Sequence, residues 1–231
     1  MKKDIESPST EVAAGARFVH AAGFDDCVEL TNATTRVVLE PNVGGRVLSY
    51  SLRGHEALYQ IPAQHGVRWD GKRNLIHPAG GRFDIGPEYG GLPRDEAWFG
   101  RWTAEILGMR SALLTSSAIS DSGLQLLRRF TLAASSTALR CTQVIQNHGA
   151  VPLRAFHWGR TFVPSGGIAF APLLTPGRFP HGYAVGGPAG VVDFLPEPEP
   201  NVRVRDGMLE ILGPPVKAKF NFDTFKFRNE K

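Results

Sequence analysis

Gly123-Leu124-Gln125-Leu126-Leu127-Arg128-Arg129-Phe130-Thr131-Leu132-Ala133 decides the fold class. Leu124, Leu126, Phe130 and Leu132 occupy alternate positions, while Gln125, Arg129 and Thr131 lie between them. A period of two is the mark of a strand with one face on a core. Residues 111–119 and 138–147 repeat the pattern on either side, with Leu139, Cys141 and Ile145 in phase on the second. The connections, Ser120-Asp121-Ser122 and residues 134–137, are short and made of small or polar residues, so the three strands pair antiparallel.

The same grammar extends toward the N-terminus. Val37 and Leu39 alternate with Arg36 and Glu40. After Gly44-Gly45, Leu48, Tyr50 and Leu52 are predicted to share one face and Ser49 and Ser51 the other, and Gly54 turns the chain into residues 57–61. No stretch of ten residues sustains a helical period; one short turn is predicted near residues 95–98. The 26 Gly and 17 Pro cut the chain into short pieces throughout. The expected class is all-β: a β-supersandwich of antiparallel sheets with little helix. Residues 64–94 and 175–200 do not read as strands. The first carries Trp69, Phe83 and Tyr89 and is expected to pack; the second is Pro-rich and is expected to be extended.

Composition bounds the function. The 231 residues, 42% hydrophobic and 21% charged, are too apolar for a disordered chain and are enough for a core that buries roughly 70% of the unfolded surface. The net charge of +4 is interspersed apart from a basic tail at Lys217, Lys219, Lys226, Arg228 and Lys231, and no basic run alternates with stacking aromatics, which argues against nucleic acid as a partner. No apolar run approaches the roughly 20 residues of a membrane helix, and residues 1–11 lack the apolar core of a signal peptide; a soluble, cytoplasmic protein is expected. Cys27 and Cys141 match no zinc or CxxC spacing, and two buried thiols are expected in preference to a disulfide. No metal and no cofactor is expected, since neither ligand spacing nor a phosphate loop is present.

Two segments could carry chemistry. Residues 74–88 bring together His77, Arg82, Asp84 and Glu88 between Gly80-Gly81 and Gly86-Pro87, which allow tight turns. The plain alternative is a surface ion pair between Arg82 and Asp84. In residues 153–162, Phe156, Trp158 and Phe162 point one way and His157 and Thr161 the other, placing an imidazole opposite an aromatic layer, on the open face of a sandwich. Arg160 joins the His157 side only if Gly159 marks a bulge. The bland reading is a structural strand histidine. Trp69, Trp98, Trp102 and Trp158 are either core residues or stacking platforms for sugar rings.

Val28-Glu29-Leu30-Thr31-Asn32, Pro41-Asn42-Val43-Gly44-Gly45-Arg46-Val47-Leu48-Ser49-Tyr50 and Leu52-Arg53-Gly54-His55-Glu56 resemble the first strands of the galactose-mutarotase-like superfamily. Gly80-Gly81-Arg82-Phe83 through Pro87-Glu88 resembles the site loop of an uncharacterised branch, and residues 156–172 resemble its central strand. The likeness spans residues 28–213, leaving an N-terminal arm and first strand region at 1–27 and a basic tail at 214–231. It implies a carbohydrate-binding protein that holds a sugar on a concave sheet. A related reading is an aldose 1-epimerase-like isomerase, in which a His protonates the ring oxygen and a Glu takes the anomeric proton; a structural domain without a site is the third. Carried over, His157 corresponds to the acid, and His77, Arg82, Asp84, Arg160 and Trp158 would hold the sugar. The surroundings of Glu210 do not match the family's late-strand Glu, so the resemblance leaves three alternatives: the base is absent, Glu88 replaces it, or the domain is incomplete. The shortened end would leave a sheet edge uncovered, and a second copy of the chain, a homodimer, is the partner that implies.

Overall fold

The computed structural model describes residues 14–72, 79–86, 95–164, 168–172, 183–186, 192–193, 202–205, 208–212 and 217–220. The chain divides into two compact units, Met1–Val163 and Pro164–Lys231.

The first unit is an antiparallel sandwich. Its larger sheet contains β1 (Gly15–Ala21), β2 (Phe24–Thr31), β3 (Thr35–Glu40), β4 (Arg46–Leu52), β5 (His55–Glu56), β6 (Gly81–Gly86) and, across the opposing sheet in sequence, a later strand at Phe156–Thr161. The opposing sheet contains β7 (Trp102–Gly108), β8 (Ser111–Ser116), β9 (Leu124–Leu132) and β10 (Leu139–Asn147) in the order β10-β9-β8-β7. The strand at Phe156–Thr161, β11, returns to the larger sheet and pairs with β6, giving β1-β2-β3-β4-β6-β11 with β5 beside β4. A short helix α1 (Asp95–Phe99) and a 3₁₀ turn at Pro62–Gln64 complete the described elements of this unit.

Alternation explains most of this. On β9 the phase holding Leu124, Leu126, Phe130 and Leu132 is buried. It meets Val28, Leu30, Val37, Leu39 and Ile85 of the larger sheet, and Trp102, Ala112 and Leu114, in one core between the sheets. Burying such side chains stabilises the fold by about 1.5–3 kcal/mol each. Asn32 ties the layers at one end, its side-chain amide donating to the carbonyls of Ala133 and Ser136 at 2.8 and 2.9 Å.

The outer face of the larger sheet is covered as well. Phe24, Cys27, Val38, Val43 and Leu48 form a second core, with Val67, Trp69 and Phe99 packed on it. This corrects the expectation for Leu48, Tyr50 and Leu52. The register shifts between Val38↔Ser49 and Leu39↔Val47, so β4 carries a bulge. Val47 and Tyr50 therefore face the inter-sheet core, Leu48 turns to the second core, and Leu52 is exposed.

Gly44 and Gly45 form the tightest junction. Both have positive φ (69° and 56°), and a Cβ on Gly44 would lie 2.1 Å from the Trp98 carbonyl oxygen, while one on Gly45 would lie 2.6 Å from the Trp102 ring. Only glycine lets this turn press against α1 and β7. Gly44 N donates to the Gly100 carbonyl (2.9 Å), Trp102 N to the Pro41 carbonyl (2.7 Å) and Trp102 Nε1 to the Ala97 carbonyl (3.0 Å).

The second unit contains β12 (Ile168–Pro172), β13 (Tyr183–Gly186), β14 (Val192–Asp193), β15 (Val202–Arg205), β16 (Met208–Leu212) and β17 (Lys217–Phe220). They form two three-stranded antiparallel sheets, β12-β16-β15 and β14-β13-β17. β13 and β14 fall inside the stretch 175–200, which does not read as strand in the sequence. The β1–β2 hairpin runs across position 27/28, and β17 lies within the segment 214–231.

Candidate functional site

β6 was not apparent in the composition of residues 64–94, and it sets the site. Between Gly81 and Gly86, Phe83 and Ile85 alternate with Arg82 and Asp84. Phe83 and Ile85 turn to the inter-sheet core, Phe83 meeting Phe130 edge-on at 5.6 Å, and Arg82 and Asp84 turn to the other face. The candidate site pair is thus carried by a strand, not by a loop.

The register brings in a second arginine. β11 pairs with β6 without a shift, placing Arg160 opposite Arg82 and Trp158 opposite Asp84. Gly159 marks no bulge, so Arg160 lies on the face of Arg82 and Asp84 and not on that of His157. Two arginines directly opposite each other repel. Asp84 relieves the repulsion: Oδ1 accepts from Arg82 Nη2 at 3.3 Å and Oδ2 from Arg160 Nε at 2.9 Å. Trp98 of α1 closes the group, with the two guanidinium carbons 5.2 and 5.1 Å from its ring centroid. Asp84 is 3% exposed and Arg82 6%, while the Arg160 side chain keeps 30% of its surface. Burial pulls the Arg82 guanidinium below the usual arginine value; Asp84 opposes the pull, and Arg160 and Arg46 reinforce it.

The Gly44-Gly45-Arg46 turn positions both halves of this cluster. Arg46 Nε lies 3.1 Å from Glu40 Oε2, and its Nη1 donates to the Ala79 carbonyl at 3.0 Å, immediately before the turn into β6. Glu40 also accepts from the backbone amides of Asn42 and Val43. Burial raises the Glu40 pKa, and Arg46 works against that rise. In that turn Gly80 has φ 88°, and a Cβ there would sit 2.4 Å from the Val47 carbonyl oxygen. On the inter-sheet side Arg128, 1% exposed, donates to the carbonyls of Gly44 (2.5 Å), Gly45 (2.7 Å) and Phe83. Its guanidinium carbon lies 4.2 Å from the Trp102 ring centroid. Burial lowers its pKa to about 10, so it stays a cation at neutral pH. One arginine thus fixes the glycine turn that seats α1 and also the backbone of β6.

His157 pairs with Ile85 and lies on the opposite side of the sheet from Asp84. His157 is exposed on this side, which turns toward β10, where Gln143 Nε2 donates to His157 Nδ1 (2.7 Å) and to the Asp84 carbonyl (3.3 Å). Partial burial of the ring lowers the His157 pKa, and Arg128 pushes the same way. The flanking aromatics do not form a buried layer, since Phe156 and Phe162 are both exposed. His77 and Glu88 lie outside the described residues, as does the side chain of Trp158. Arg82, Asp84 and Arg160 are therefore brought together, and His157 is separated from them by the sheet.

Arg128, Arg46 and Glu40 were missed in the sequence as parts of the site, as was the placement of Trp98 against Arg82 and Arg160. Arg128 had a signal: it stands in the buried phase of β9, where a charged residue needs internal partners. Both cysteines are free; Cys27 is buried and Cys141 half-buried, and burial raises both thiols to about 12. Among the described residues no group of His, Cys, Asp or Glu could hold a metal ion, and no helix is long and apolar enough to cross a membrane.

No family model matches the chain, and no curated protein matches it. It is similar to a solved structure of a TPR-domain containing protein from Parabacteroides distasonis, at 16% identity and a TM-score of 0.49 over 69% of this chain. The chain spans 26% of that protein's length.

Proposed function

We propose that the protein binds a carbohydrate at the Arg82–Asp84–Arg160 cluster beside Trp98. The observation that carries this reading is the shared carboxylate: Asp84 is held between two guanidiniums on neighbouring strands, next to an indole. Sugar hydroxyls both donate and accept, so planar groups that offer paired acceptors and forked donors suit vicinal hydroxyls. An aromatic wall suits the C–H face of the ring. The segments that resemble the galactose-mutarotase-like superfamily, around Gly44-Gly45-Arg46 and Gly80-Gly81-Arg82, are the ones that build and seat this cluster.

Binding is favoured over aldose 1-epimerase-like catalysis by the position of His157. The acid must reach the anomeric centre of the bound sugar, and His157 is across the sheet from Asp84, which would hold that sugar. Saturation-transfer NMR against a panel of monosaccharides tests binding, with exchange between α and β anomers followed in the same samples. Saturation of one class of sugar, lost in Asp84→Asn and without accelerated exchange, is the expected result. Accelerated exchange would replace binding with catalysis, and no saturation of any sugar would refute the proposal.

A further inference from the structure

Two successive carbonyls of β6 are held from the opposing sheet, and the two holders differ in chemistry. Arg128 of β9 donates from Nη2 to the Phe83 carbonyl, and Gln143 of β10 donates from Nε2 to the Asp84 carbonyl at 3.3 Å. Arg128, its pKa lowered to about 10, keeps its charge at neutral and acidic pH, so its hold is permanent. The hold of Gln143 is conditional. A carbonyl only accepts, which places the amide nitrogen of Gln143 on this side, and the same nitrogen lies 2.7 Å from His157 Nδ1. Nδ1 must therefore accept, and the neutral ring carries its proton on Nε2. The two hydrogens of one amide nitrogen are thus divided between the imidazole and the backbone of Asp84. In an imidazolium both ring nitrogens donate. The Gln143 nitrogen then faces a second donor. Turning the amide over brings Oε1 to the Nδ1–H but sets Oε1 against the Asp84 carbonyl, acceptor against acceptor. One amide serves both partners of a neutral ring and only one partner of a charged one.

We infer that the Gln143 amide is a proton-sensitive latch: protonation of the exposed His157 ring releases the Asp84 carbonyl and loosens the Arg82–Asp84–Arg160 cluster on the other side of the sheet. Asp84 is the residue both arginines share, with Arg82 Nη2 at 3.3 Å and Arg160 Nε at 2.9 Å, and β11 carries Arg160 as well as His157. The charged group that faces the ring from the opposing sheet is Arg128 of β9, which resists the proton, as does partial burial of the ring. On β10, Cys141 shares the phase of Gln143 and stays a neutral thiol, raised to about 12. On β6, Ile85 lies opposite His157 in register, while the Asp84 carboxylate and Arg82 occupy the other face. The latch therefore opens below the ordinary histidine value of 6.5 and is closed at neutral pH. The inference concerns the cluster whatever it binds, so it stands or falls apart from the carbohydrate reading.

The test is an NMR titration of the isotope-labelled full chain, without ligand, from about pH 7.5 to about pH 5. The imidazole nitrogens of His157 report the proton, the carbonyl carbon of Asp84 reports the latch, and the Arg160 Nε–H reports the cluster. At neutral pH the His157 proton is expected on Nε2. On acidification the Asp84 carbonyl and the Arg160 Nε–H should shift with the midpoint of His157. In Gln143→Leu the ring should still titrate while both shifts stay flat, which separates the amide from the bare field of the imidazolium. His157→Gln is the second variant if Gln143→Leu does not fold, and both steps should vanish in it. A neutral ring protonated on Nδ1, or an Asp84 carbonyl that stays still while His157 titrates, would overturn the inference. So would steps that persist in Gln143→Leu, which would assign them to the field of the ring, or in His157→Gln, which would assign them to another group.

Discussion

Arg128 lies over Trp102, its guanidinium carbon 4.2 Å from the ring centroid, in the core between the sheets. No carboxylate pairs with it among the described residues; its charge is met by the carbonyls of Gly44, Gly45 and Phe83. It does the work of a backbone clamp between the two sheets. Arg128→Met keeps much of the volume and removes the donors, leaving three carbonyls without their partner. The expected cost is about 3–5 kcal/mol, the range for breaking a buried charged group's contacts, read as a lower urea midpoint. Arg128→Lys should recover part of it, because a single ammonium keeps the charge without the fork.

The glycine turn beneath that clamp separates strain from steric conflict. Gly54 and Gly45 both have positive φ, 83° and 56°, but a Cβ on Gly54 meets nothing within 4 Å. Gly54→Ala should therefore cost about 1–2 kcal/mol from backbone conformation alone. Gly45→Ala adds a Cβ 2.6 Å from the Trp102 ring, and Gly44→Ala one 2.1 Å from the Trp98 carbonyl oxygen. Both should exceed the Gly54 cost, by about 1–3 kcal/mol for overpacking. Thermal unfolding of the three variants checks the order. Equal losses at Gly45 and Gly54 would show that the turn is not pressed against β7.

Asp84 and Arg160 should respond unequally. Asp84→Asn leaves Arg82 buried without its carboxylate, an expected loss of about 3–5 kcal/mol. The Arg160 side chain is 30% exposed, so water screens what Arg160→Gln removes, and a loss of about 1 kcal/mol or less is expected. Equilibrium unfolding of both variants decides it. A larger loss at Arg160 would mean that Arg160, not Arg82, is the charge that Asp84 chiefly balances.

The pattern of legibility follows from which forces act locally. The strands β8 to β10 were readable because one face of each turns to the core and the other is more open, and alternation records that asymmetry. β6 alternates just as cleanly over Arg82-Phe83-Asp84-Ile85, but its flanking glycines and prolines read as loop. The side of β11 facing the second sheet could not be read, because both faces of the larger sheet carry a core and polarity no longer marks the outside. The approach of Trp98 to Arg82 and Arg160 is tertiary, set by the Gly44-Gly45 turn under α1, and nothing near Trp98 in the sequence announces it. Leu48 was misplaced because a bulge inserts one residue into a run that otherwise alternates.

The thiols offer a chemical check on the two cores. Cys27 sits in the second core and Cys141 beside the first, and burial raises each to about 12, so neither forms thiolate readily near neutrality. Alkylation by iodoacetamide at mildly alkaline pH should be slow in the native protein at both positions and rapid in urea. Cys141, half-buried, should be the first to react as the native state opens. Fast native labelling of Cys27 would show that the covering of the outer face by Val67, Trp69 and Phe99 is absent in solution.

His157 gives the fold a pH dependence whose sign is fixed by its surroundings. Its folded pKa lies below the ordinary 6.5, and Gln143 donates to the neutral ring at Nδ1. As pH falls through 6.5, the unfolded chain takes up this proton before the folded one does. The proton therefore favours unfolding, and stability is lost progressively down to the lowered folded value. Above 6.5 both states hold the ring neutral and the effect vanishes. Urea unfolding of the wild type and His157→Gln at about pH 7.5 and about pH 5 isolates this contribution from the carboxylates. The wild type should lose more stability on acidification than the variant. An identical loss in both would mean that the ring is free in water, and that the Gln143–His157 bond does not join β10 to β11.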